Sequence, residues 1–149
     1  MTVSESEWEL EVRPRKTARY AIGVAVLLVV LFSIVGALLR TSATGVYFRV
    51  ADQIAMVLFG FLLAGLVLLL ARPRLRVNAS GVLVRNGLGE KHVDWDLVRG
   101  LSFPDGAAWA RLELPDDEYV PVLAIQANDK QHAVEAVQAF RALDARHRR

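Results

Sequence analysis

The sequence predicts an α+β protein: a two-helix transmembrane hairpin, then a small antiparallel β-barrel or sandwich capped by a C-terminal amphipathic helix. Three observations carry this. No charged residue lies between Arg19 and Arg40 or between Asp52 and Arg72, and each run is close to the roughly 20 apolar residues with which a helix crosses a hydrocarbon core of about 30 Å. From Arg74 to Ile125 apolar and polar residues alternate in short stretches punctuated by Gly, Pro, Asn and Asp, the pattern of half-buried strands and tight turns. Beyond Asn128 the apolar period lengthens to that of a helix.

These runs divide the chain into a leader, residues 1–19; a hairpin, residues 20–71, with spans near 21–39 and 54–71 and a link over 40–53; and a domain, residues 72–149. The domain carries twelve Lys and Arg against eleven Asp and Glu, so it lacks the strong basic excess of a nucleic-acid-binding module, and no nucleic-acid partner is expected. Cysteine is absent. That excludes disulfides, thiolate zinc sites, iron–sulfur ligation and cysteine nucleophiles.

Flanking charge sets the expected topology. Arg13, Arg15, Lys16 and Arg19 precede the first span and Arg72, Arg74 and Arg76 follow the second, whereas the link carries Arg40, Arg49 and Asp52. Positive charge beside spans favours the cytoplasmic side, so a multi-pass protein of the inner (plasma) membrane with both termini cytoplasmic is predicted. A cleaved signal peptide fits less well, since the first apolar run exceeds the usual 7–15 residues and Glu5, Glu7, Glu9 and Glu11 stud the leader. On a cytoplasmic domain the acceptor-like Asn78-Ala79-Ser80 reads as a turn.

In the leader, Trp8, Leu10 and Val12 alternate with Glu9 and Glu11 up to Pro14. Such a segment either adds a short strand to the sheet of the domain or remains an unpaired tail whose Trp8 touches lipid headgroups. Within the spans, Gly60 and Ala64 have the spacing that lets two helices approach closely, which either the hairpin itself or a partner would use. Neither span holds an ionisable residue, so a proton relay or ion path is not expected.

The domain begins with Leu75 and Val77, turns at Ser80-Gly81, continues through Val82 to Arg85 and turns again at Asn86-Gly87, a strong hairpin signal. Glu90 to Trp95 resumes the alternation, and Asp96-Leu97-Val98 turns the chain into a strand through Leu101 and Phe103. Ala110, Leu112 and Leu114 form the next strand, the acidic Asp116-Asp117-Glu118 a solvated turn, and Tyr119 to Ile125 the last. Pro121 there argues for an edge or a bulge. Six or seven short strands result. Asn128 with Gln131 three residues on reads as the start of the helix, whose apolar stripe comprises Ala133, Ala136, Val137, Phe140 and Leu143. Val93, Trp95, Phe103, Leu112, Val137 and Phe140 are the expected core.

An antiparallel barrel-like sheet of about seven strands closed at one end by a single C-terminal helix is the layout of a pleckstrin-homology (PH) domain. The segment Leu75 to Phe103, with Val77-Asn78-Ala79-Ser80-Gly81-Val82, the Asn86-Gly87 turn and His92-Val93-Asp94-Trp95-Asp96-Leu97-Val98, resembles the bacterial PH-domain pattern. Two spans followed by such a domain are similar to small actinobacterial PH-domain membrane proteins of the low-molecular-weight protein antigen type. The resemblance implies a non-enzymatic role in binding protein or lipid, with no catalytic residues.

The residues themselves add little chemistry. His92, His132 and His147 lack metal-ligand spacing, the acidic turn has no His, Lys or Ser frame around it, and the glycines are scattered over turns rather than gathered before a helix. No catalytic, cofactor-binding or metal-ligating residue is assigned. Arg72, Arg74, Arg76, Arg85 and Lys91 make a basic surface suited to anionic lipid headgroups, at about 1 kcal/mol per cation, although the first three also read as ordinary span-flanking charges. The expected function is a membrane-anchored adaptor that binds a protein partner at the cytoplasmic surface. The alternative is an accessory subunit packed through its hairpin into a larger membrane complex.

Overall fold

The computed structural model describes residues 8–41, 45 and 47–148; Glu5 and Glu7, named above, lie outside the described residues. The chain forms two compact units, Thr17–Ala71 on the one hand and Met1–Lys16 with Arg72–Arg149 on the other.

The helical unit consists of α1 (Lys16–Thr41) and α2 (Val50–Leu68), with a 3-10 turn over Leu69–Ala71. Both helices outrun the expected spans at their polar ends, because Lys16, Arg19 and Asp52 are compatible with a helix even though they bound the apolar stretch. Asp52 accepts the N–H of Arg49 at 2.9 Å, which satisfies one of the donors that a helix start leaves open. The small residues pack the hairpin against itself: a Cβ on Gly60 would lie 2.8 Å from Phe32 Cβ, and Phe32 meets Phe59 edge-on with centroids 5.5 Å apart. Both helices are long and apolar enough to cross a membrane, and only 11 % of each apolar stretch is buried. A core helix of a soluble protein would be covered instead.

The second unit holds all the strands. A four-stranded sheet has the order β1 (Leu10–Val12), β2 (Arg74–Asn78), β3 (Gly81–Arg85), β4 (Glu90–Asp94), and a three-stranded sheet the order β5 (Gly100–Ser102), β6 (Trp109–Glu113), β7 (Tyr119–Gln126), all antiparallel. Helix α3 (Gln131–His147) follows. The leader is therefore a strand of the domain: Leu10 lies opposite Val77 and Val12 opposite Leu75. Val12 is buried, and Leu10 packs on the core. Trp8 departs from that face and lies against the Arg76 guanidinium, 5.6 Å from its ring centroid.

Alternation delivers Leu75, Val77, Val82, Val84 and Val93 from one sheet and Leu101, Ala110, Leu112, Val120 and Val122 from the other into a single core with Ala133, Ala136, Phe140 and Leu143 of α3. Of the six expected core residues, Val93, Trp95, Leu112 and Phe140 are buried, while Phe103 and Val137 are partly covered at its margin. Trp95 donates Nε1–H to Asn78 O at 2.9 Å and lies between Phe140 and His147.

Turn chemistry fixes the register. Asn78 Oδ1 accepts the N–H groups of Ser80 and Gly81, closing the β2–β3 turn as an Asx turn. Gly81 cannot carry a side chain, since a Cβ would fall 2.3 Å from Val93 O. The Asn86-Gly87 signal does mark a hairpin, but Arg85 pairs with Glu90, which leaves a four-residue loop. Asn86 then reaches across to the edge strand β7, donating to Pro121 O at 2.9 Å and accepting from Leu123 N at 3.3 Å. It supplies the bonds that a strand beside Pro121 would otherwise make.

Helix α3 starts two residues later than Asn128 as its N-cap implies. Asn128 lies in a 3-10 turn over Ala127–Asp129, and Lys130, with φ 47°, precedes the helix. The buried Asp129 spends its carboxylate elsewhere, accepting the N–H groups of Arg15 and Lys16 at 3.1 and 2.9 Å. These bonds tie the end of the leader to the segment that precedes α3.

Candidate functional site

Period-two alternation that sends Leu75, Val77, Val82 and Val84 inward sends Arg74, Arg76, Leu83 and Arg85 outward. Arg74 lies opposite Arg85, Arg76 opposite both Leu83 and Glu11, and Arg85 opposite Glu90. Arg74, Arg76, Leu83, Arg85 and Glu90 together line a shallow depression on this outer face. Three of the sequence-predicted cations thus converge. Arg13 joins them from the leader, a contribution that adjacency in sequence hides, because Arg13 and Arg74 are separated by the whole hairpin.

Two carboxylates answer four guanidinium groups. Glu11 pairs with Arg13 at 2.6 Å and Arg76 at 3.3 Å, and Glu90 pairs with Arg85 at 2.9 Å. Among the described residues Arg74 has no ion pair. Its half-burial holds its pKa below the ordinary guanidinium value, with the charges of Arg13, Arg76 and Arg85 acting in the same sense and Glu11 opposing them. Glu11 titrates below its ordinary value, first through its hydrogen bond from Arg13 and then through the charges of Arg13, Arg76 and Arg74, against the desolvation that opposes them. Guanidinium groups clustered beyond their counter-charges match the oxygen geometry of phosphate and carboxylate.

The structure separates the other two predicted cations from this face. Arg72 is exposed ahead of β2. Lys91 lies opposite Val84, so its parity is that of the core face. It lines a different groove with His92, Leu97, Leu114, Asp116 and Glu118, where acidic neighbours offset it.

That second groove also revises the reading of the acidic turn, which does have a histidine and a lysine beside it. His92 approaches Asp94 at 3.4 Å through Nδ1 and Ser80 Oγ at 3.5 Å through Nε2, an order of groups seen in nucleophilic triads. The geometry serves the turn instead. Ser80 Oγ is bonded to Asn78 Oδ1 at 2.7 Å, and the Ser80 and Gly81 N–H groups that could hold an oxyanion are bonded to the same oxygen.

A third feature was invisible to the periodicity. Phe103, Ala133, Val134 and Val137 form the floor of an open groove of about 590 Å³ along α3, with Lys130, Gln131, Gln138 and Arg141 at its margin. Val134 is the signal: an apolar residue one position off the core stripe and 48 % exposed.

Comparison with known proteins agrees with this architecture. The family model for the bacterial PH domain matches residues 72–143. Uncharacterized proteins of Mycobacterium bovis and of two Mycobacterium tuberculosis strains are 49 % identical over 148 residues, covering 99 % of this chain and 96 % of theirs. No solved structure matches the chain. With two antiparallel sheets, a capping helix and relatives alike along nearly their full length, the chain belongs to the bacterial PH-domain family.

Proposed function

We propose that this protein is a non-enzymatic adaptor, anchored in the inner (plasma) membrane by its hairpin and binding a protein partner at the cytoplasmic surface. One observation carries the anchoring: β1 and β2 pair in the same sheet, yet the two long apolar helices lie between them in sequence. Both ends of the hairpin therefore enter one folded body through short connections, and an even number of crossings is required if the helices span. The excess of arginine over carboxylate on the outer sheet face suits contact with anionic headgroups, each cation contributing about 1 kcal/mol near such a surface. The satisfied Ser80 turn supports a role without catalysis.

A single cysteine at Tyr47, in a chain that has none of its own, should react with an impermeant thiol reagent in intact cells, whereas one at Leu88 in the β3–β4 loop should not. Labelling of Leu88 overturns the orientation. For the adaptor role, photo-crosslinkers at Leu88, Tyr119 and Val134 in native membranes should capture another protein. Recovery of self-crosslinks alone would refute it. The accessory-subunit alternative rests on Gly23 and Gly65, where a Cβ would meet open space, unlike Gly60; it predicts protein crosslinks from the outer helix surface at Leu62 and none from the domain.

A further inference from the structure

The groove along α3 is an open, largely apolar concave surface of the strand-bearing unit, and its chemistry restricts what fits. Its floor is apolar, from Phe103 at the end of β5 to Ala133, Val134 and Val137. Its charged residues are both cations, Lys130 at one end and Arg141 at the other, with the amides of Gln131 and Gln138 between them and no carboxylate in the lining. Among the described residues neither cation has an ion-pair partner, although Arg146 and His147 in the last turn of α3 and Arg148 just after it all meet carboxylates. Arg141 lies eleven positions beyond Lys130, the residue that precedes α3, about 16 Å at 1.5 Å per residue, which is three turns of a partner helix laid alongside.

We infer that this groove binds an acidic amphipathic segment of the protein partner: a stretch of about three helical turns with apolar residues at helical spacing and carboxylates near both ends. This rests on the adaptor reading above and specifies the partner for it. Apolar side chains of such a segment would cover Val134 and Phe103, and its carboxylates would meet Lys130 and Arg141 three turns apart, the helix-in-groove mode of peptide recognition. Complementary charge at the rim fixes register and orientation more than it adds affinity. A basic segment would place cation against cation at both ends.

The experiment uses the full chain in native membranes, with benzoyl-phenylalanine replacing Val134 in the groove and, separately, Leu88 in the β3–β4 loop, outside the groove lining, and maps the crosslinked peptide by mass spectrometry. The expected result is a Val134 crosslink to a segment of another protein rich in Asp or Glu with apolar residues three or four apart, lost when Arg141→Glu is added and also lost with Lys130→Glu. Arg141 is exposed on α3, so its reversal leaves the fold intact, which unchanged thermal unfolding verifies. A Val134 crosslink to lipid, to a second copy of this chain or to a basic segment overturns the inference. Protein captured from Leu88 but not from Val134 removes the groove while leaving the adaptor role standing; protein captured from neither removes both.

Discussion

At the scale of single residues, backbone contacts rather than side-chain bulk fix the least replaceable positions. Gly81 sits where β2 turns into β3, and any Cβ there would press on Val93 O at 2.3 Å. Backbone of a paired strand cannot move aside as the end of a flexible side chain can. Gly81→Ala is accordingly expected to destabilise the domain by about 1–3 kcal/mol, read as a lower denaturation midpoint by tryptophan fluorescence. An unchanged midpoint would mean that β3 and β4 separate there. Glu11 offers a test with a sign. Its carboxyl is held below the ordinary 4.5, chiefly by the hydrogen bond from Arg13, so its contribution to stability is present above that value and is lost as pH falls through the folded-state pKa. Glu11→Gln should therefore be less stable than the natural protein at neutral pH, and the difference should shrink as pH drops below about 4.5. A gap that stays constant across that range would assign the effect to packing.

At the scale of elements, the three-residue strand β1 has consequences beyond its length. It covers the edge of β2, and through Val12 it adds to a core built from residues more than sixty positions away in sequence. Its flanks are held by α3 and the turn before it: His147 Nε2 meets Glu9 at 2.7 Å, His132 Nε2 meets Arg13 O at 3.1 Å, and Asp129 takes the N–H groups of Arg15 and Lys16. Val12→Asp would bury a carboxylate without a partner, which is among the substitutions with large effects. It should reduce protection from hydrogen exchange in β2 and α3 together, while exchange in β6 and β7 changes less. Uniform loss over the whole unit would show that the two sheets unfold as one. Within the hairpin, Gly60→Leu would drive a side chain into Phe32, and disulfide trapping between cysteines introduced at Gly36 and Met56, neighbours across the two helices, should fall sharply.

At the scale of the whole molecule, the strand-bearing unit is discontinuous in sequence. The matched family segment begins at residue 72, yet the folded unit also takes in the residues before the hairpin. Residues 72–148 alone would leave the backbone edge of β2 unpaired and the core without Val12. Joining residues 8–15 to residues 72–148 through a short flexible linker should give a soluble, cooperatively folding domain, whereas 72–148 alone should aggregate or unfold at lower temperature. Equal stability of the two would show β1 to be dispensable.

Much of this architecture is local and was therefore legible in the sequence. Hydropathy marks the two apolar helices because their charged residues are confined to the ends of each run, and alternation marks the strands because successive side chains point to opposite faces. Trp95, Leu112 and Phe140 could be assigned to the core on periodicity alone. Tertiary structure decided what periodicity does not encode. Whether the leader paired with the domain depended on a partner strand beyond the hairpin. Arg13 joined Arg74 while Lys91, adjacent to the same hairpin, was turned away by strand parity. Asp129 left the start of α3 to hold the backbone of Arg15 and Lys16, and Val134 came to line a groove only when the fold brought Phe103 to the same surface. In each case the deciding interaction joins residues distant in the chain, and only the folded backbone brings them within reach.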